Sequence, residues 1–342
     1  MIQQPLITVL IPTYNCEQYV HDAVQSILNQ TYTNFECIII DDCSTDGTVD
    51  IIKTFDDPRI NLIVKPKNSG YTNSLNYGLT IAKGKYIARM DGDDISLPNR
   101  FEKQVAIFEQ NDDIVVCGSI FKLIDTETII EAPEHHDAIK LGLLKESCIG
   151  HPTAMIRTSV LNTHNINYNT AYEPAEDYDL WVRLSQVGQL YNIQDVLFLY
   201  RVHDNQVSIT KKEIQRKSAS LSRFNMLNQL NLDYTELEKQ AYIKQFSYTE
   251  RLNFEELVAL IKLNNKAFKA NAKGFFNQEN LKTILQTFQT EAINQYFKAN
   301  KKYSPKMINQ LKEISRLTAT NFSFLDKVKL YIKSLIFFKN DK

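Results

Sequence analysis

The sequence is most informative at first for what it has little of. Glycine and proline number only 10 and 9 in 342 residues, against 43% hydrophobic and 23% charged. That balance excludes a collagen-like or mainly disordered chain and leaves one large globular domain or two ordinary ones. Cysteines are few, odd in number and scattered (Cys16, Cys37, Cys43, Cys117, Cys148), with no Cys-x-x-Cys pair. This argues against a zinc site or a disulfide framework and fits a reducing compartment. No apolar run approaches the ~18 residues of a membrane span. The opening MIQQPLITVLIP lacks the basic and long apolar regions of a signal peptide, so the expectation is a cytoplasmic location. Net charge is −1, without the basic excess that a nucleic-acid partner requires, so no nucleic acid is expected.

The near-zero net charge conceals a split. Residues 1–210 carry 15 Lys+Arg and 28 Asp+Glu; residues 211–342 carry 24 and 12. The first part also holds every cysteine, every histidine and the only tryptophan. A chemistry-bearing domain over 1–210 followed by a basic accessory region over 211–342 is the economical reading.

Within the first part, short apolar runs alternate with helical stripes. Residues 6–11, ended by Pro12, then 35–40, 60–64 and 86–90 read as buried strands. Residues 17–28, 48–55, 69–82 and 97–109 carry helical spacing. The alternation predicts βαβ units and an α/β fold with a mainly parallel sheet. After residue 110 the pattern is less regular, with strands expected at 114–120 and 197–202 and a helix at 178–187. From 211 onward it is helical throughout.

Parallel sheets bind ligands at the carboxyl ends of their strands. The polar clusters Thr13-Tyr14-Asn15, Asp41-Asp42 and Asp91-Gly92-Asp93-Asp94 all fall there. Three carboxylates in four residues repel one another, and a divalent cation among them relieves this. Such oxygen ligands suit Mg²⁺ or Mn²⁺. Gly92 allows close backbone approach. Asp42 has the chemistry to accept hydrogen bonds from a nucleobase imide or a ribose hydroxyl, and Tyr14 can stack on a base. Asn15 is a candidate cap for the helix after the first strand, and Thr45 or Asp46 for the next.

Six stretches, VLIPTYNCEQYV, IIIDDCSTDGT, KNSGYTNSLNYGLTIAKGKYIARMDGDDISLPNR, GHPTAMIR, AEDYDLWVRL and YRVHDNQVS, together resemble bacterial family 2 glycosyltransferases of the GT-A fold. The resemblance covers roughly residues 5–210. It implies a nucleotide-sugar donor, a UDP-sugar by preference, and an acceptor hydroxyl on a glycan or lipid-linked glycan of surface polysaccharide biosynthesis. On the donor side it implies Pro12, Tyr14, Asp42, Asn68, Gly70, Asp91 and Gly92, with His203 reaching the diphosphate or the metal. Arg201, in the same donor-side set, has the chemistry to pair with a phosphate or with one of the site carboxylates. Asp93, Asp91 and His203 are the implied ligands of Mn²⁺ or Mg²⁺. In Glu176-Asp177 the resemblance gives Asp177 the general-base role of an inverting transfer; Asp179 is the competing carboxylate. Glu176, His151 and Trp181 fall on the acceptor side. Asn76 matches the family's NxG…N stretch. His135 and His136 read as solvent-exposed.

Two other activities lack their signatures. A nucleotidyltransferase would carry a glycine-rich, Arg-containing loop after the first strand, and a dinucleotide-dependent oxidoreductase would carry GxGxxG; TYNCEQ is neither. The QxxRW signature of polymerising synthases is also missing. The alternative from another class is a non-catalytic nucleotide-sugar-binding or scaffold subunit of a glycan-assembly complex. Residues 325–342, LDKVKLYIKSLIFFKNDK, mix lysines with apolar and aromatic residues. They read as a basic amphipathic helix suited to peripheral contact with the inner face of the cytoplasmic membrane.

Overall fold

The computed structural model describes residues 4–203, 206, 210–299 and 305–318. The chain divides into two compact units, the first ending at Ser222 and the second starting at Arg223; the charge split places the break near residue 210.

The first unit is built on a nine-stranded mixed sheet. Its strands are β1 (Ile7–Thr13), β2 (Phe35–Asp41), β3 (Ile60–Val64), β4 (Tyr86–Arg89), β5 (Ile95–Ser96), β6 (Ile114–Leu123), β7 (Ile129–Ile130), β8 (Met155–Arg157) and β9 (Gln189–Tyr200). They lie in the order β3-β2-β1-β4-β8-β6-β9-β5, with β7 paired to β6. β1 to β4 are mutually parallel, and β6 runs parallel to β9. β8 lies antiparallel between β4 and β6. The helices of this unit include α1 (Val20–Leu28), α2 (Thr48–Ile52), α3 (Tyr71–Ile81), α4 (Arg100–Gln110), α5 (His136–Gly142), α6 (Thr158–Thr163) and α7 (Glu176–Leu184).

The sequence explains the layering. Every residue of β1 is buried, as expected of a strand covered on both faces. Ile7, Val9 and Ile11 pack with Val20, Val24 and Ile27 of α1 and with Phe101 and Phe108 of α4 in one core. Chain order reverses at β1, which lies between β2 and β4. A crevice therefore opens beyond the carboxyl ends of β1 and β4, the usual ligand position in such sheets.

Several boundaries differ from the sequence expectation. Pro12 lies inside β1. Pairing of β1 with β4 stops at Leu10, so the donor that proline lacks falls where that ladder has ended. β9 begins at Gln189, well before residue 197. Its register with β6 jumps from Ser119↔Ile193 to Ile120↔Val196, and this irregularity at Gln194 and Asp195 breaks the apolar alternation. Asn15 does not cap α1, whose N-cap is Tyr19 without a side-chain bond. Asn15 instead accepts from Thr45 N–H (2.8 Å), tying the end of β1 to the loop after β2. Asp46 accepts from the N–H and hydroxyl of Thr48 at the start of α2.

Helix α8 (Lys212–Asn228) contains the division between units. The second unit continues with α9 (Glu236–Lys244), α10 (Phe254–Ala270), α11 (Gln278–Ala299) and α12 (Pro305–Thr318), and no strand occurs among its described residues. Thr235 with Glu238 and Asn253 with Glu256 form capping boxes that fix the starts of α9 and α10. Leu257, Leu260, Ile261 and Leu263 of α10 are wholly buried. No described helix is long and apolar enough to cross a membrane. The amphipathic segment 325–342 lies outside the described residues.

Helix α3 carries the cavity-lining Tyr71 at its start and packs on β1 and β2 through Gly78. A Cβ there would fall inside the Leu10 methyl groups and 3.1 Å from Ile40 Cδ1. Gly78→Ala is expected to cost about 1–3 kcal/mol through overpacking, read as a lower urea midpoint with unchanged slope.

Candidate active site

A cavity of about 870 Å³ opens at the carboxyl ends of the parallel strands. Of the sequence-derived site residues, Pro12, Tyr14, Asp42, Asn68, Gly70, Asp91, Gly92, Asp93, His151, Glu176 and Asp177 line it.

The β1–β2 side is preorganised around Asp42. Its carboxylate pairs with Lys65 Nζ at 2.6 Å and accepts from Ser69 N–H (3.0 Å) and Gly70 N–H (2.8 Å). Burial would raise this carboxyl, but Lys65 and the two amides outweigh it and hold it below the usual carboxylate range. Gly70 sits at φ +93°, a conformation that glycine adopts freely. Tyr14 is 51% exposed, an aromatic face open to a ligand.

At the end of β4, one buried guanidinium organises the acidic cluster. Arg89 holds both oxygens of Asp91 at 2.5 Å. Asp93 receives His203 Nε2 at 2.9 Å. Asp94 Oδ1 accepts from Arg201 N–H (2.8 Å), while its Oδ2 is buried without a partner. Ligand oxygens of Asp91, Asp93 and Asp94 lie within 4.8 Å of one another. Burial raises Asp91 and raises Asp94 well above the usual range, and the neighbouring carboxylates push both further. Hard oxygen donors, uncompensated negative charge and an orphaned buried oxygen fit a divalent cation. Asp93 faces the cavity and is not held by Arg89, which makes it the most available ligand.

The opposite wall is formed by the start of α7. Burial, then the charge of Asp177, pushes Glu176 up to about 8. Burial likewise raises Asp177 to about 6, against the Tyr178 N–H and Arg89. Glu176 is 5% exposed, and its Oε2 has no hydrogen-bond partner. Asp179 is held by Arg183 Nε at 2.8 Å and does not line the cavity, so Asp177 is the open carboxylate of the two. His151 bridges the walls: Nε2 meets Tyr168 OH at 2.9 Å, and Nδ1 lies 3.5 Å from Tyr71 OH, which itself lies 3.4 Å from Asp91. Burial and the Arg89 cation hold His151 well below its ordinary value, hence neutral.

The glycosyl transferase family 2 model matches residues 8–173. An uncharacterized glycosyltransferase of Haemophilus influenzae is 37% identical over 247 residues, covering 67% of this chain and 76% of that protein. The chain belongs to glycosyl transferase family 2. It is a glycosyltransferase. A putative teichuronic acid biosynthesis glycosyltransferase of Bacillus subtilis, TuaG, is 32% identical over 228 residues, covering 63% of this chain and 86% of TuaG. Among solved structures, S. aureus TarS 1–349 in complex with UDP-GlcNAc superposes with a TM-score of 0.58 at 20% identity. It covers 85% of this chain and 89% of that one, a likeness of fold.

Some residues of this glycosyltransferase sit elsewhere than the motifs suggest. Trp181 is wholly buried and does not line the cavity; it packs edge-on against His151 at 6.0 Å, so it supports the His151 side of the cavity from behind. Arg201 does not line the cavity either. Its Nε donates to the Asp93 carbonyl (2.7 Å) and its guanidinium lies 4.6 Å from the Tyr19 ring centre, so it braces the acidic cluster. Likewise His203 reaches the Asp93 carboxylate and stacks on Tyr19. Asn76 exchanges hydrogen bonds with the Tyr168 backbone and acts structurally. His136 is only half-exposed and accepts from Leu190 N–H at 3.2 Å. Sequence reasoning missed Arg89, Lys65 and Tyr71. Arg89 was accessible, since it stands two residues before Asp91, and Lys65 directly follows β3 at the same sheet edge as Asp42.

Glu176 lies above its ordinary value of 4.5 in the folded chain. A raised group stabilises fully below its unfolded value, and that contribution is lost as pH rises through the folded value. Thermal stability of the ligand-free protein should therefore fall between about pH 5 and 8.5. Glu176→Gln should flatten that decline; identical melting curves across the range would remove the assignment.

Proposed function

We propose that this glycosyltransferase performs an inverting, metal-dependent transfer of one sugar from a nucleoside-diphosphate sugar to an acceptor hydroxyl. The observation that carries the reading is one cavity faced by Asp42, Asp91, Asp93 and Asp177. A UDP-sugar is the favoured donor. The Asp42 carboxylate and Tyr14 ring suit a nucleobase, and the TarS neighbour binds UDP-GlcNAc. The likeness to TuaG supports a glycan or lipid-linked glycan acceptor in surface polysaccharide biosynthesis.

In the mechanism, Asp177 takes the proton from the acceptor hydroxyl. That oxygen attacks the anomeric carbon from the face opposite the diphosphate. The new C–O bond forms as the bond to the diphosphate oxygen breaks, and the configuration inverts. A value near 6 leaves Asp177 mostly ionised at neutral pH yet basic enough to accept the proton. Glu176 stays largely protonated and adds no full second charge beside it. Asp93 and Asp91 would hold Mn²⁺ or Mg²⁺, with His203 beside them. The cation would neutralise charge on the departing diphosphate.

Asp177→Asn should lower kcat by about 10²–10⁴-fold while retaining nucleotide binding, read by thermal shift. In the wild type, kcat/KM should rise with pH through about 6. Undiminished transfer in that variant would dismiss Asp177 as the base, and transfer lost together with nucleotide binding would point to a structural role.

A thermal-shift screen against UDP, GDP, CDP and dTDP, with Mn²⁺ or with EDTA, tests the donor side. One nucleotide should stabilise only with metal, and Asp93→Asn should abolish that dependence. A shift that EDTA leaves untouched would remove the metal from the reading.

A further inference from the structure

The cavity has two halves on either side of β4. Asp42, Asn68 and Gly70 belong to β2 and the loops of the parallel half. Beyond β4, the walls come from β6, β7 and the segments that follow them. There the lining combines an apolar surface with carboxylates, and neither feature has a role in holding the donor.

The apolar part is a continuous wall. Phe121 is the cross-strand partner of Ile130 on β7. On its other side its ring lies 5.6 Å from that of Tyr200 at the end of β9. Ile130 is 37% exposed and lines the cavity, so its side chain is open to a ligand. The charged part is mainly acidic. Glu131 and Glu146 line this half together with Glu176 and Asp177, and Glu173 lines the cavity beside Gly70. Fewer cations line the same cavity: Arg89, which is bound to Asp91, and Lys211, which lies 3.9 Å from Glu173. Glu176 adds the independent sign of a ligand, because its Oε2 is buried, lines the cavity and has no partner.

From this we infer that the acceptor is an uncharged sugar unit, its apolar ring face against Phe121, Ile130 and Tyr200 and a hydroxyl at Glu176 and Asp177; uronic acids and sugar phosphates are excluded. The inference rests on the glycosyl-transfer reading above. The acceptor hydroxyl oxygen accepts from the Glu176 carboxyl, whose orphaned oxygen thereby gains a partner, and donates its own proton to Asp177. A carboxylate or phosphate in the same place would meet Asp177, Glu131 and Glu146 as well as the donor's own diphosphate, an acidic excess over the Arg89 and Lys211 cations, and like charges at close quarters disfavour binding. The hydrophobic CH face of a pyranose suits the aromatic and aliphatic wall.

The test uses the full-length enzyme, the donor found by the nucleotide screen, and acceptors in matched pairs. These are octyl β-glucoside with octyl β-glucuronide, octyl β-galactoside with its galacturonide, and octyl N-acetylglucosaminide with its 6-phosphate. At least one neutral member should exceed its anionic partner in kcat/KM by about tenfold or more, as expected for like-charge rejection. The Glu131→Gln/Glu146→Gln double variant should narrow that gap. Ile130→Ala, at an exposed edge that does not threaten folding, should raise acceptor KM several-fold and leave donor KM unchanged. A panel in which no neutral member exceeds its partner overturns the inference, as does an Ile130→Ala variant with unchanged acceptor KM. Donor hydrolysis without acceptor, read as nucleoside diphosphate release, reports separately on glycosyl transfer. Its absence would count against the function itself, whereas hydrolysis combined with preference for the anionic partners would count against the acceptor class alone.

Discussion

One buried cation holds the site together. Arg89 is 3% exposed, yet its guanidinium stands between the carboxylates at the end of β4 and those at the start of α7. It binds Asp91 through both oxygens, lies 5.4 Å from the Tyr71 ring centre and helps keep His151 neutral. Without it, the Asp91 carboxylate would lose the one ion pair that, among the described residues, offsets its burial. The acidic cluster can collect at one strand end because this charge is fixed by the fold and cannot leave with a ligand.

The same arrangement divides the labour between the two kinds of sheet. The parallel strands β1 to β4 deliver residues to a shared edge because every strand ends on the same side. β8, inserted antiparallel between β4 and β6, changes the direction of the chain there. The segment before it brings His151 to the cavity, and Trp181 of α7 then packs on His151. The neutral His151 imidazole, partly open to the cavity, thus links Tyr71 to the helix that carries Asp177.

What the sequence made legible follows from this division. The βαβ half shows clear periodicity, and its strand-end clusters marked Asp42, Asp91 and Asp93 without any structure. The irregular half was read less well. Asn192 and Asp195 interrupt the apolar pattern of β9, so the sequence predicts a strand only from residue 197, whereas pairing with β6 begins at Gln189. Trp181 and Arg201 belong to motifs that carry chemistry, but a motif cannot say which of its side chains face a cavity and which brace it from behind. Arg89 was overlooked for the opposite reason. It sits in an apolar strand, where a cation is conspicuous only once its carboxylate partner is known to share its face.

The buried carboxylates also constrain how the molecule can be stable. Glu176, Asp91 and Asp94 are all displaced toward the protonated form by burial, which means that ionising them works against folding. Each is a local cost that the wholly apolar β1–α1–α4 core must offset. A site arranged purely for stability would have paired or removed Glu176 Oε2 and Asp94 Oδ2, which have no hydrogen-bond partner. On the proposed reading, a cation beside Asp93 and an acceptor hydroxyl beside Glu176 would supply partners that the ligand-free fold withholds. The bound enzyme should then be more stable than the free one.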